Sequence, residues 1–413
     1  MKYNFPYIDH INVVLPAIEG CNEFVVAERE HYTVINYMVA MSDTFPPINT
    51  IHLTNGDQKL RGAIFETKED YHAAIRRECR GLLFYPDGQI MSRRLHKFFN
   101  INERDETLAH KIDLSQPHVI LEKLDGSMIT PVVIEDNIRW GTKMGVTQVA
   151  MGAEEFVARN PQYTKFARIC IDSFEVTPIF EWCSRKQRIV IDYPEDRLVL
   201  IAVRDNETGE YLSHQWMQAY GEMFNIEVVK AYSGTASNME HLMTETKSAE
   251  GIEGWIIRFD DGHMLKVKGD WYVRIHKTKD NLNREKNVID LIINEKIDDA
   301  KAFMLEEDRN RVETFERKFW NGVSQKVNEY ESYFDFLINE KNMDRKTFAI
   351  ELMPEMRLKD FVGPSIIFEL YNGKTTRETI IHLIKGHVGS QAKIDSIRHL
   401  WNDHVWDYYQ VEE

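Results

Sequence analysis

The stretch that decides how this chain is read is Val119–Trp140, VILEKLDGSMITPVVIEDNIRW. Two β-rich runs flank Lys123-Leu124-Asp125-Gly126, and β-branched residues punctuated by Asp, Asn and Gly read as short strands joined by turns. A lysine just past a strand, beside a glycine that permits close backbone approach, can present an amine to a phosphate as a nucleophile. The tetrapeptide alone carries little. K-x-D-G arises by chance in roughly one chain of this length in ten, and its plain reading is a surface turn.

Working outward, the same alternation continues through IFEWC, RIVIDY, RLVLIAVRDNETGEYL and EGWIIRFDDGHMLKVKGDWYV. Asp205–Gly209 and Asp260–Gly262 look like hairpin turns. Helical periodicity interrupts at about 147–160, 214–224 and 236–249. The expected fold class is α+β, built on antiparallel sheets, over residues 1–285. Residues 42–76, with Pro46, Pro47 and Gly56, read as a loop-rich insertion. From residue 286 the pattern turns to long helices, as in RVETFERKFWNGVSQKVNEYESYFDFLINEK, so 286–413 is expected to be a separate all-α domain. Aromatics there, among them Phe319, Trp320, Trp401, Trp406, Tyr408 and Tyr409, fall at helical spacing and read as core.

Composition bounds the class. The 413 residues carry 51 Lys+Arg against 66 Asp+Glu, a net charge of −15, the wrong sign for a protein that holds nucleic acid by bulk charge. The part from Lys286 onward has 18 basic and 24 acidic residues, which leaves −9 for the part before it. A polyanionic partner must therefore meet a local basic patch. The 4 cysteines are too scattered for a disulfide framework or a zinc site, so a reduced, intracellular chain is expected. The first twenty residues lack the apolar core of a signal peptide, and no apolar run is long enough to span a membrane.

Lys123 gains weight from its company. Arg80 stands in ECRGLLF, Lys97 in SRRLHKFFN, Glu181 in IFEW, Glu253 in EGIEGWIIRF, and Lys266 and Lys268 in LKVKGDW. Singly, each has a plain explanation: a solvated strand-end charge, a snorkelling lysine, a turn dipeptide. In this order and spacing the set resembles the covalent nucleotidyltransferases, the superfamily of ATP-dependent DNA and RNA ligases and mRNA capping enzymes. Within it the chain is most similar to the RNA ligase 1 family typified by the bacteriophage T4 enzyme, and KFFNINE, RDNETGEY and KGDWYV extend the likeness.

That resemblance implies a nucleotidyltransferase domain with ATP-grasp-like antiparallel sheets, followed by the helical tail. It makes Lys123 the residue that becomes adenylylated. It places Arg80 and Lys97 on the phosphates of ATP, Tyr37 at an N-terminal contact to ATP, Lys143 at a basic position between motifs, Gly126 in the nucleophile motif, and Glu181 on the ribose. Lys266 and Lys268 would face the α-phosphate. Glu253 would sit near Lys123 and the metal, Asp298 at a second metal position, and Glu122 would accept from the adenine amino group. Arg93 and Arg94 are expected to join the same cleft.

The implied cofactors are ATP and Mg²⁺ or Mn²⁺, and the implied partner is RNA bearing 5′-phosphate and 3′-hydroxyl ends, cleaved tRNA included, with the tail as a specificity module. The setting would be cytoplasmic, in a bacterial host if the source is a bacteriophage. Two rivals stand beside this reading: a DNA ligase or capping-type enzyme, and an inactive relative that only binds RNA ends. The first expects a β-barrel after the last lysine motif, where this chain reads as helical.

Overall fold

The computed structural model describes residues 4–407 apart from 39, 41–42, 50–64, 233–237, 303, 305, 358–359 and 361. The chain divides into two units, Met1–Val273 and Arg274–Glu413.

The first unit holds three four-stranded sheets. One runs β1 (Phe24–Glu28), β2 (Thr33–Tyr37), β3 (Arg80–Phe84) and β4 (Ile90–Ser92) in order. The remaining strands are β5 (Phe99–Asn100), β6 (His118–Lys123), β7 (Ser127–Ile134), β8 (Asn137–Gly141), β9 (Val176–Cys183), β10 (Arg197–Asp205), β11 (Gly254–Phe259) and β12 (Met264–Lys268). They form the orders β10-β9-β7-β8 and β5-β12-β11-β6. All strand pairs are antiparallel except β12 with β5. The class is α+β, as the turn-punctuated runs require.

Helices α1 (Ile11–Ile18), α2 (Lys68–Glu78), α3 (Gln148–Arg159), α4 (Gln162–Phe174), α5 (His214–Phe224) and α6 (Met239–Ser248) complete the unit. The periodicity located α3, α5 and α6. Helix α4 is an addition: Tyr163, Phe166, Ala167 and Cys170 form its buried stripe, packed with Trp182, Phe180 and Leu200 in the largest core of this unit. Residues 42 and 50–64 of the expected 42–76 insertion lie outside the described residues, but its end is helical. Thr67 caps α2 by accepting from the Asp70 amide, and Ala73, Ala74 and Ile75 are buried beneath it. A capped amphipathic turn outweighs the loop-like composition before it.

Arg93 and Arg94 do not face the cleft. Both are fully buried. Arg93 pairs with Glu78 at 3.1 Å and donates to the carbonyls of Glu207 and Pro6, while Arg94 donates to Thr130 Oγ1 and the Gly81 carbonyl. Glu78 also takes Arg204 at 2.7 Å. Burial alone would raise the Glu78 carboxyl, but the guanidiniums of Arg204 and Arg93 hold it below its usual value. The group is a knot between the end of α2, the segment after β4, β10 and the N-terminal segment.

The second unit is helical throughout its described residues. Helix α7 (Asp270–Leu282) leads into it, followed by α8 (Glu285–Ile293), α9 (Ile297–Lys301) and the long α10 (Glu306–Asn339). Val288, Ile292, Val312, Phe319, Ile366, Ile384 and Trp401 are among its core. Phe319 and Trp401 are buried as their spacing implied; Tyr408 and Tyr409 lie outside the described residues. No helix among the described residues is long and apolar enough to cross a membrane.

Removing one acid from the buried knot leaves two guanidiniums uncompensated. Glu78→Ala is expected to cost about 3–5 kcal/mol of stability, read as the shift in urea midpoint at constant slope.

Candidate active site

Strand register builds the site. Lys123 closes β6 directly opposite Gly254 of β11, and Gly254 lies opposite Lys268 of β12. The row across the sheet is thus amine, glycine, amine. Glu253, the residue before that glycine, reaches both: its Oε2 is 2.7 Å from Lys123 Nζ and its Oε1 is 2.9 Å from Lys268 Nζ. Gly254 has φ +146°, and a Cβ there would stand 2.0 Å from the Val267 carbonyl oxygen. Only glycine lets the three strands close on one carboxylate.

The loop after Lys123 is equally constrained. A Cβ on Gly126 would lie 2.3 Å from the Trp182 carbonyl oxygen of β9. Asp125 is buried, accepting at Oδ2 from the amides of Val190 and Ile191 and at Oδ1 from the Tyr272 hydroxyl. Its own amide donates to Tyr193. The K-x-D-G motif is therefore a pinned turn, and the bland surface-turn reading fails because three neighbouring segments hold it.

Around Lys123 opens a cleft of about 580 Å³. Of the residues named from sequence, Tyr37, Arg80, Glu122, Lys123, Gly126, Lys143, Glu181, Lys266 and Lys268 line it. Lys97 stands beside it, its ammonium 5.6 Å from the Tyr37 ring centre, on the ring that Lys143 approaches at 5.2 Å. Asp298 is in the second unit, exposed and paired with Lys301 at 3.0 Å.

The electrostatics follow from crowding cations in a half-dry cleft. Burial pulls Lys266 down to about 6, and Arg80, Lys97, Lys123 and Lys268 push the same way. Burial pushes Glu181 up to about 7, opposed by Lys123 and reinforced by Glu253. Among the described residues the Glu181 carboxylate has no hydrogen-bond or ion-pair partner, and no group of three metal-ligating side chains occurs. An unpartnered, half-buried carboxylate near a second one suits a hard divalent cation that keeps most of its waters.

One charged lining residue was missed from sequence. Arg258 is buried on the cleft wall with Leu121, Val149, Ile201, Val229 and Ile256, and it makes a weak contact to Met217 Sδ at 3.9 Å. The signal was available: in GWIIRF, Arg258 shares a strand face with Ile256 and hence with the cleft.

A family model described as RNA ligase matches residues 78–272, and one described as T4 RNA ligase 1, C-terminal domain, matches residues 279–398. The chain belongs to the RNA ligase family. Its members similar to this chain include RNA ligase 1 of bacteriophage TS2126, 23% identical over 51% of this chain and 55% of that one. A Thermovibrio ammonificans protein named among the RNA ligases is 32% identical over 58% of this chain and 63% of its own length. The chain spans less than two thirds of the length of these curated relatives. A solved archaeal ATP-dependent RNA ligase aligns over 65% of this chain and 64% of its own, at TM-score 0.40 and 11% identity.

Lys266 gives a pH test. With its folded pKa depressed to about 6, the fold resists protonating it, so the cost is full below that pH and is relieved as pH rises. Stability should gain up to about 1.4 kcal/mol per pH unit above pH 6 from this group. Glu181 acts in the opposite sense, losing its contribution as pH rises through about 7. The difference in denaturation midpoint between wild type and Lys266→Met, followed from pH 5 to 8, isolates the lysine.

Proposed function

We propose that this protein is an ATP-dependent RNA ligase that joins 5′-phosphate and 3′-hydroxyl RNA ends. One observation carries the reading: an amine nucleophile, Lys123, held by Glu253 between strands at the floor of a cleft walled by Lys266, Lys268, Arg80 and Lys143. Such a cleft stabilises the extra charge of a phosphoryl transition state.

In the first step Lys123 Nζ forms a bond to the α-phosphorus of ATP, the bond to the bridging oxygen breaks, and pyrophosphate leaves with the electron pair. Freeing an ordinary lysine of its proton at pH 7 costs about 4–5 kcal/mol. Glu253 holds the amine in place until the substrate arrives. In the second step an oxygen of the RNA 5′-phosphate attacks the same phosphorus, and Lys123 leaves as the amine. In the third the 3′-hydroxyl attacks the RNA phosphorus and AMP departs. Glu181 and Glu253 would hold Mg²⁺ or Mn²⁺ through its waters, supplying Lewis-acid polarisation of the phosphate.

Arg258 completes the pocket at the end away from the lysines, offering N–H donors to ring nitrogens of the nucleobase. The helical second unit, in place of a barrel, favours an RNA ligase 1 type of enzyme over a DNA ligase or capping enzyme. We assign it the role of recognising the RNA, cleaved tRNA in particular.

Incubation with [α-³²P]ATP and Mg²⁺ is expected to give an acid-labile protein label that chelation prevents and Lys123→Ala abolishes. Label persisting in that variant would remove Lys123 from the chemistry; label from GTP but not ATP would favour the capping-type reading. Arg258→Met is expected to raise the KM for ATP about tenfold, the loss of one charge-assisted hydrogen bond, with less effect on sealing of pre-adenylylated RNA.

A further inference from the structure

The second unit carries more acids than bases, 24 against 18 from Lys286 onward, yet no Asp or Glu occurs between Thr379 and Ile394. That stretch is a helical hairpin: the helix Thr376–His387, a short turn, and the helix Gln391–Ile397. Lys385 and Lys393 stand exposed on its two arms, and neither has a carboxylate partner among the described residues. Lys286 of α8 joins them at the turn, its ammonium donating to the Gly389 carbonyl at 3.3 Å. At the start of the first arm Arg377 lies 5.1 Å from the Trp320 ring centre, on an aromatic face that holds a cation without neutralising it. The two acids that border the stretch are engaged. Glu378 accepts from the Thr375 hydroxyl at 2.8 Å, and Asp395 accepts from Gln391 at 3.0 Å and from Arg398 at 2.6 Å.

The turn between the arms is Gly386-His387-Val388-Gly389, and the chain itself does not require its glycines. Neither has a positive φ, and a Cβ on either would meet no other part of the described chain within 4 Å. Gly386 stands in the last turn of its helix, where alanine is the better helix former. A surface kept free of side chains, where nothing inside the protein needs the room, admits close approach from outside. With lysines on both arms and a third at the turn, the ligand that approaches is an anion. Among RNA-binding modules a Gly-x-x-Gly turn clamps the nucleotide backbone. We propose that this turn, with Lys286, Lys385 and Lys393, is where the second unit grips the phosphodiester backbone of single-stranded RNA. This rests on the ligase reading above.

Two full-length variants separate charge from shape: Lys385→Ala/Lys393→Ala removes two cations, and Gly386→Gln fills the open turn with a good helix former. Each is titrated against a fluorescent 5′-phosphorylated single-stranded RNA oligonucleotide at about 50 to 200 mM salt. The double alanine variant is expected to bind about tenfold more weakly, with the slope of log K against log salt shallower by about 1.4, from about 0.7 per phosphate contact on a single strand. Gly386→Gln should weaken binding by a similar factor with an unchanged slope and a urea midpoint no lower than wild type. Lys385→Arg/Lys393→Arg should keep both affinity and slope. Labelling by [α-³²P]ATP should stay at the wild-type level throughout, since the nucleotide cleft is built from residues of the first unit. Wild-type affinity and slope in the double alanine variant overturn the proposal, as does undiminished binding by Gly386→Gln. Polyglutamate that displaces the RNA from wild type at equal concentration of charge also overturns it, assigning the turn to an acidic protein. A protein that binds the oligonucleotide through this turn but takes no label from ATP removes the ligase reading and leaves the turn standing.

Discussion

Glu253 shared between Lys123 and Lys268 is the interaction on which the rest of the first unit depends. Three strands must be in one register for a single carboxylate to reach two amines, and the residue between those amines must be glycine. A one-residue slip of β11 would turn Ile256 and Arg258 to the other face. The neighbouring turn is fixed just as tightly, with Asp125 accepting three hydrogen bonds from distant segments. The fold spends its hydrogen bonds on holding one lysine where a phosphorus can meet it.

The same arrangement explains how an acidic chain gathers cations. Like charges repel, so a cluster persists only where something else holds each member. Arg80 and Lys97 lean on Phe98 and on the Tyr37, Phe45 and Phe99 rings, Lys143 on Tyr37, and Lys268 on Tyr272 and Glu253. Aromatic faces stabilise a cation without neutralising it, which leaves the charge available to a ligand. Glu78, by contrast, neutralises two guanidiniums in a dry interior, and those arginines serve the fold alone. Both kinds of cation occur within one motif, SRRLHKFFN, at Arg93 and Lys97.

The relation between the lysines and the half-buried acid Glu181 gives the cleft its character. Near neutral pH, Lys266 and Glu181 are each pulled toward their uncharged forms by the same desolvation. A bound triphosphate would favour the charged form of the first, and a metal ion that of the second. The site is thus matched to ligands that bring both.

Sequence by itself determined the class of the fold, a helical last part of the chain, which begins at α7 (Asp270–Leu282) rather than at the expected residue 286, and most of the charged residues that line the cleft. Turn chemistry, β-branching and helical period are local, and nucleophile, acids and lysines are spaced by strands whose alternation can be counted. Helix α4 and Arg258 were legible too, had the same periodicities been pressed further. Tertiary structure alone decided which charges matter. Arg93 and Arg94 read no differently from Lys97 in SRRLHKFFN, yet they are sealed against Glu78, Thr130 and the Gly81 carbonyl while Lys97 stands beside the cleft. The partners that bury them lie up to more than a hundred residues away in the chain, and no local pattern encodes which distant carboxylate or carbonyl will meet a given guanidinium.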